Sequence, residues 1–320
     1  MVDALSEVLR SVRLTGGVFL SGHFTAPWCV GVKLTGDDCL SLLPERPSQI
    51  ISYHVVTEGR LLVAVEDESI AEVGAGQIVL FPQNDPHILA DRRGLQPVSA
   101  RQLMQRSADG GFRIFHGGGG GATRIFCGFL ASEASYTPLF ETLPKVLVID
   151  VRDGASREWI EASVRFAASE LAAGRLASSS VVTRLSESLL TEAVRQYAST
   201  LGEESQGWLK GLKDPKVGRA LALIHGNIRA PWTTEALARE VALSRSAFVE
   251  RFSSLVGMPP IRYLTFWRLQ SARSNLGETY KTIAQLAYSV GYDSEEAFSR
   301  AFKREFGMSP ARWRVHRANS

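Results

Sequence analysis

"GYDSEEAFSRAFKREFGMSP", residues 291–310, decides how the C-terminal third of this chain is read. Fifty residues upstream, "ALSRSAFVERFSSLVGMPP", residues 242–260, repeats it with seven identities: Ser244 with Ser294, Ala247 with Ala297, Phe248 with Phe298, Phe252 with Phe302, and Gly257, Met258 and Pro260 with Gly307, Met308 and Pro310. A serine hydroxyl at a helix start accepts from a backbone NH that lacks an intrahelical partner, so Ser244 and Ser294 mark two helix beginnings. Spacings of four then place Phe248, Phe252 and Val256 on one face, and Phe298, Phe302 and Phe306 on the corresponding face of the second copy.

A shorter helix precedes each serine. Thr233 or Thr234 caps one whose apolar face is Leu237, Ala238 and Val241; Ile283, Leu286, Ala287 and Val290 form the other. The turn at Ala242 and Leu243 gains one residue in the second copy, at Gly291. Two helices joined by a short turn, the second polar on its outer face, make a helix-turn-helix, expected at about 234–256 and again at about 282–306. Between them, "PPIRYLTFWRLQSARSNL" (259–276) reads as an amphipathic helix that holds the copies at a fixed separation. Recognition helices about 34 Å apart enter successive major grooves on one face of B-DNA. Charge agrees: residues 213–320 carry a net +8 and the rest of the chain −5, although the whole is only +3. The basic third is the part suited to a polyanion.

At 320 residues the chain is long enough for two domains. It lacks an apolar run of membrane-spanning length and a signal-peptide core, so a cytoplasmic location with no membrane partner is expected. Cys29, Cys39 and Cys127 are odd in number and form no CxxC pair, which argues against a disulfide framework and suits a reducing compartment. Residues 50–130 read as strands in "IISYHVV", "RLLVAVED", "QIVLFP" and "TRIFCGFL", separated by turn formers, and suggest a small β-sandwich or barrel. Five glycines, 117–121, follow His116 with no Lys-Ser/Thr pair after them and read as a flexible surface spacer. From about Arg157 the period becomes helical, with stripes at Ile160, Val164, Ala167 and Leu171, then at Val182, Leu185, Leu189 and Ala193. This pair can cover the sheet, join a second subunit, or both. "GEESQGWLKGLKDP" (202–215) has the composition of a boundary.

The doubled unit resembles the AraC/XylS family of transcription regulators over about 100 C-terminal residues. That resemblance implies a bipartite DNA-binding domain of about seven helices, whose outward recognition positions here are Arg245, Ser246, Val249 and Glu250, then Glu295, Glu296, Ser299 and Arg300. By chemistry, Arg245 and Arg300 suit guanine edges or phosphates, and Lys303 a phosphate. Glu250, Glu295 and Glu296 suit cytosine amino groups or the bracing of arginines. The acidic pair assigns the second copy less base readout and more positioning.

The N-terminal half is similar to the cupin-type sensor found in one branch of that family. "YHVVTEGRLLVAV" and "VGAGQIVLFPQNDPHILAD" carry this similarity, as do "TRIFCGFL" and "LPKVLVIDV". Gly76, Pro82 and His87 match the second cupin motif, with Asn84 where glycine is usual and Asp91 where asparagine is usual. The first motif departs from the metal-enzyme pattern: its ligand positions fall at Ser52 with Pro47 and Glu45, or with Ser48 and Arg46. His54 and His87 converge in the barrel mouth, with Cys29 or Cys127, as candidate effector contacts. Two imidazoles and a thiolate suit zinc or copper; the alternative is a set of hydrogen-bonded residues anchoring strands. Strand alternation puts Cys127 with Ile125 and Phe129, which suits a buried inert thiol, whereas redox sensing requires access and a depressed pKa.

The expected fold class is α+β in two domains. An N-terminal cupin-like β-barrel with a helical hairpin is expected, with residues 1–150 the sensor domain, 151–212 a helical linker and candidate dimerisation element, and 213–320 an all-α tandem helix-turn-helix. The expected function is sequence-specific regulation of transcription in response to a small-molecule, metal or redox signal. Double-stranded promoter DNA, RNA polymerase and a second copy of the chain are the candidate partners. A cupin enzyme with a DNA-binding tail is the alternative, although no catalytic residue is assigned.

Overall fold

The computed structural model describes residues 14–40, 46–66, 70–106, 112–132, 142–150, 180–201, 208–276 and 281–318, with isolated positions between them. It divides into two compact units that part at Tyr197 and Ala198, inside the segment read as a linker. Among the described residues no helix is long and apolar enough to cross a membrane.

The N-terminal unit is built on two sheets. One has seven strands in the order β12 (Leu147–Asp150), β6 (Gln77–Phe81), β3 (Gln49–Glu58), β11 (Ala122–Ser132), β1 (Thr15–Thr25), β10 (Phe112–Gly117), β9 (Gln105–Arg106). The other has five, in the order β5 (Ala71–Gly74), β4 (Arg60–Val65), β7 (His87–Ala90), β2 (Cys29–Val32), β8 (Val98–Ser99). Most pairs are antiparallel, but β1 runs parallel to β10 and β2 to β8. Among the described strands no ladder joins the sheets into a ring, so the cupin-like domain takes the form of two facing sheets. Alternate residues of each turn inward. Leu20, Phe24, Val56, Phe81, Ile114 and Ile125 from the larger sheet meet Val30, Leu61, Val63, Val73 and Leu89 from the smaller in one core.

Two short helices, α1 (Gly36–Cys39) and α2 (Ala100–Leu103), lie between strands, and the helix α3 (Ser180–Thr200) covers the larger sheet. Its Leu189, Leu190, Ala193 and Val194 are buried, and Tyr53 on β3 hydrogen-bonds Ser186 through hydroxyls 2.8 Å apart. The stripe through Ile160, Val164, Ala167 and Leu171 lies outside the described residues. The glycine segment after His116 is not the loose spacer expected. The amides of Gly118 and Gly120 donate to the carbonyls of Thr25 and Ala26, Gly119 donates to the Thr25 hydroxyl, and Ala26 donates to Gly121. A Cβ at Gly118 would lie 2.5 Å from Pro27 Cδ. At Gly117, Gly118 and Gly120 the opposing segment leaves no room for a side chain, whereas a Cβ on Gly119 or Gly121 would meet open space.

The C-terminal unit is helical: α4 (Trp208–Lys213), α5 (Pro215–Gly226), α6 (Thr234–Glu240), α7 (Arg245–Val256), α8 (Pro260–Leu276), α9 (Ile283–Ser289), α10 (Glu295–Phe306) and α11 (Pro310–Ala318). Trp208 belongs to this unit, where its indole NH donates to the Tyr263 hydroxyl at 3.2 Å. The two short shorter-plus-longer helix pairs, α6–α7 and α9–α10, are the expected repeats. Ser244 accepts from Ala247 N at 3.3 Å and Ser294 from Ala297 N at 3.1 Å. Phe248, Phe252, Phe298 and Phe302 are completely buried, each contributing about 2 kcal/mol of transfer free energy.

Candidate functional site

On α7, Arg245, Ser246 and Glu250 are exposed and Val249 is half-buried; on α10, Glu295, Glu296, Arg300 and Lys303 are exposed and Ser299 is half-buried. None of the positions assigned to DNA is therefore buried, whereas Phe248, Phe252, Phe298 and Phe302 of the same helices are. In register, however, the charges are exchanged. Arg245 answers Glu295, and Glu250 answers Arg300. Glu295 and Glu296 occupy the first turn of α10, where a carboxylate favours the positive end of the helix dipole. Arg245 Nε lies 2.7 Å from Glu235 Oε1 on α6, so the first copy braces its leading arginine with a carboxylate from the preceding helix.

Contacts unread in the sequence make the two copies one body. The linking helix α8 gives Tyr263 and Trp267 to the first core and Leu269, Ala272 and Leu276 to the second. Arg268, on the same helix, donates from Nε to Ile228 O at 2.9 Å and from Nη2 to Ala230 O at 2.7 Å. A Cβ on Gly291 would meet Arg268 Nη2 at 2.8 Å and Arg229 O at 2.9 Å. The α5–α6 loop thus presses on the turn of the second copy through a gap only glycine fits. Arg251 points to Asp214, its Nε 2.9 Å from Oδ2. Burial opposes ionisation of Asp214, yet Arg251 and the amides of Val217 and Lys216 hold its carboxyl below the usual value. The repeat also extends further than the seven identities: eleven residues beyond Phe252 and Phe302 stand Tyr263 and Trp313, each packed on its phenylalanine.

In the N-terminal unit, His54 and Cys127 are direct cross-strand partners on β3 and β11, and His87 faces them from β7 in the other sheet. His54 Nδ1 lies 2.9 Å from Cys127 Sγ, His54 Nε2 lies 2.8 Å from His87 Nε2, and His87 Nδ1 lies 2.9 Å from Asp85 O. A carbonyl oxygen only accepts, so His87 carries its proton on Nδ1 and accepts on Nε2. His54 then donates from Nε2 and accepts at Nδ1 from the Cys127 thiol. All three groups are neutral in this arrangement. Burial, then the neighbouring His87, keeps the pKa of His54 well below the ordinary histidine value. Burial, with a smaller effect from Lys33, brings that of His87 to about 4, against the opposing Asp85 hydrogen bond. Burial pushes the Cys127 thiol upward. Phe81 stacks on the His87 ring at 3.6 Å. The chain of hydrogen bonds fastens one sheet to the other.

This cluster forms part of the wall of a cavity of about 1070 Å³ between the sheets. Its lining is mainly apolar, including Leu20, Phe24, Val30, Val65, Ile114 and Ile125. Lys33, Asp37, Asp38, Glu66 and Arg101 also line it, and each is at least partly exposed. Cys29, expected beside the histidines, is not in the lining. It is buried on β2 opposite Ala90, and burial followed by Asp91 raises its thiol pKa. Among the described residues no three His, Cys, Asp or Glu side chains are arranged to hold a metal; each nitrogen of His54 serves a different partner. Of the first-motif positions, Ser52 lines the cavity, Arg46 pairs with Asp37 at 2.6 Å, and Glu45 lies outside the described residues. Asn84 adopts φ 52, a left-handed conformation that accounts for a glycine preference there, and its side-chain amide donates to Leu34 O. Asp91 Oδ1 accepts from Trp28 N at 2.6 Å.

Residues 3–199 match the cupin family model and 237–316 the helix-turn-helix domain model. A Streptomyces lividans protein described as an AraC-like transcription regulator is 31% identical over 270 residues, 84% of this chain and 88% of its own. The chain belongs to the AraC-type transcription regulators. The HTH-type transcriptional regulator AlkR of Acinetobacter baylyi is 28% identical over 98% of this AraC-type chain and 99% of its own. The crystal structure of the AdpA DNA-binding domain with a target DNA is 30% identical over 33% of this chain and 96% of that one, with a TM-score of 0.32. This AraC-type regulator therefore joins a cupin-type N-terminal domain to a DNA-binding helix-turn-helix domain.

Proposed function

We propose that this regulator couples occupancy of its N-terminal cavity by an effector to promoter binding by α7 and α10. Arg245, Ser246, Val249 and Glu250 read one groove segment, and Glu295, Glu296, Ser299, Arg300 and Lys303 the next. The exchanged charges assign base discrimination mainly to α7 and phosphate positioning to Arg300 and Lys303. The protein acts in the cytoplasm, pairs with a second copy, and has RNA polymerase as a further partner. The cavity carries the reading: about 1070 Å³ of mostly apolar space in the chain that also carries the reader, at the upper end of the range for small-molecule sites. An effector that binds it more tightly in one conformation shifts the population toward that conformation. The test selects preferred fragments from random DNA at moderate salt, then repeats the footprint with metabolite fractions. Failure to prefer any fragment over bulk DNA sinks the reader; a footprint indifferent to every fraction sinks the coupling.

A further inference from the structure

Reading the cavity as an effector site leaves the effector's chemistry open, and the inference that follows rests on that reading. Ser52 stands two residues before His54 on β3, so both side chains leave the strand on the same face, and both line the cavity. Ser52 is 1% exposed, and its hydroxyl has no hydrogen-bond partner among the described protein groups. Its cross-strand neighbours are Phe129 and Phe81, which offer no side-chain oxygen or nitrogen. His54 has both ring nitrogens engaged. A buried hydroxyl left unpaired is costly, and native proteins retain few.

The charges around the cavity are sorted by depth. Lys33, Asp37, Asp38, Glu66 and Arg101 are at the exposed rim, while the buried polar groups of the wall, Ser52, His54, His87 and Cys127, carry none. An ionised head group beside Ser52 would lose its hydration without meeting an opposite charge. A bare hydrocarbon would leave the hydroxyl unpaired. We infer that the cavity takes a predominantly apolar molecule bearing one uncharged hydroxyl or carbonyl oxygen, and that this oxygen hydrogen-bonds Ser52 Oγ.

Three probes with a common apolar body separate the possibilities: 4-butylphenol, butylbenzene and 4-butylbenzoate, each titrated into the full chain at neutral pH, with butylbenzene read by competition. One neutral hydrogen bond corresponds to roughly 3- to 10-fold in affinity. 4-Butylphenol is expected to bind tighter than butylbenzene by that factor, and 4-butylbenzoate more weakly than the phenol. Ser52→Ala should bring the phenol down to butylbenzene's affinity and leave butylbenzene unchanged. The ligand-free variant should melt within a degree or two of the parent or higher, because Ser52 Oγ makes no hydrogen bond to another protein group. The inference is overturned, with the effector site intact, if the phenol has no advantage, if its advantage survives Ser52→Ala, or if the benzoate binds tightest. Absence of binding by all three probes overturns both the inference and the effector-site reading.

Discussion

Among the described residues, burial keeps the histidines His54, His87 and His225 neutral. Burial lowers the pKa of His87 to about 4 and that of His225 to about 3, and holds His54 well below its usual value. An unfolded chain takes up these protons near pH 6.5, so between there and pH 4 it binds more protons than the fold, and stability falls as pH falls. His87 alone should cost about 2 kcal/mol at pH 5 relative to pH 7. Urea titrations at the two pH values check this; equal midpoints would contradict buried neutral histidines. That His54 and His87 would converge was legible in the sequence from a cupin-like spacing, but the sequence does not choose between Cys29 and Cys127 beside them. Their protonation pattern was not legible, since it depends on Asp85 O, a backbone atom whose position only the fold sets. The same limit applied to Cys29, which shares a residue type with Cys127 but faces a different side of a different sheet.

Among the elements, the two helix-turn-helix units show why their turns differ. Ala242 and Gly291 occupy matching positions, and both have positive φ, 52 and 88. Alanine is tolerated in the first turn, but the second lies against Arg268 and the carbonyl of Arg229. Gly291→Ala should therefore destabilise the C-terminal unit by roughly 2 to 4 kcal/mol, combining an unfavourable φ with a clash. Gly257→Ala, at φ 81 with open space around its Cβ position, should cost only about 1 kcal/mol. Thermal melts of the two variants decide the comparison, and equal losses would mean that the close approach contributes nothing. The helices were plain in the sequence because caps, fourfold spacings and exits are local signals. The arginine contacts to Asp214, Ile228 and Ala230 were not, because each joins residues more than thirty positions apart.

For the whole molecule, the charge split that was visible in composition becomes a matter of placement. With Arg300 assigned to phosphate, Arg300→Ala should weaken binding uniformly across sequences and lower the salt slope by about 1, whereas a loss of about 1 to 3 kcal/mol confined to one base pair would reassign it to base readout. Replacing Glu295 and Glu296 together by glutamine should raise affinity for nonspecific DNA and steepen its salt dependence, because two like charges leave a surface facing phosphates. Unchanged binding in filter or polarisation assays would place that helix end away from the duplex. The division between units at Tyr197 and Ala198 falls in the last turn of α3, a few residues before the boundary composition read at 202–215. The continuous helix α8 also imposes a mechanical rule. An α-helix advances 1.5 Å and turns about 100° per residue, while B-DNA advances about 3.4 Å per base pair along each strand. Adding a residue inside α8 would change the distance and the angular phase of the two readers together, in a ratio the duplex does not share. On the proposed reading, operators for this protein can vary in letters far more readily than in spacing.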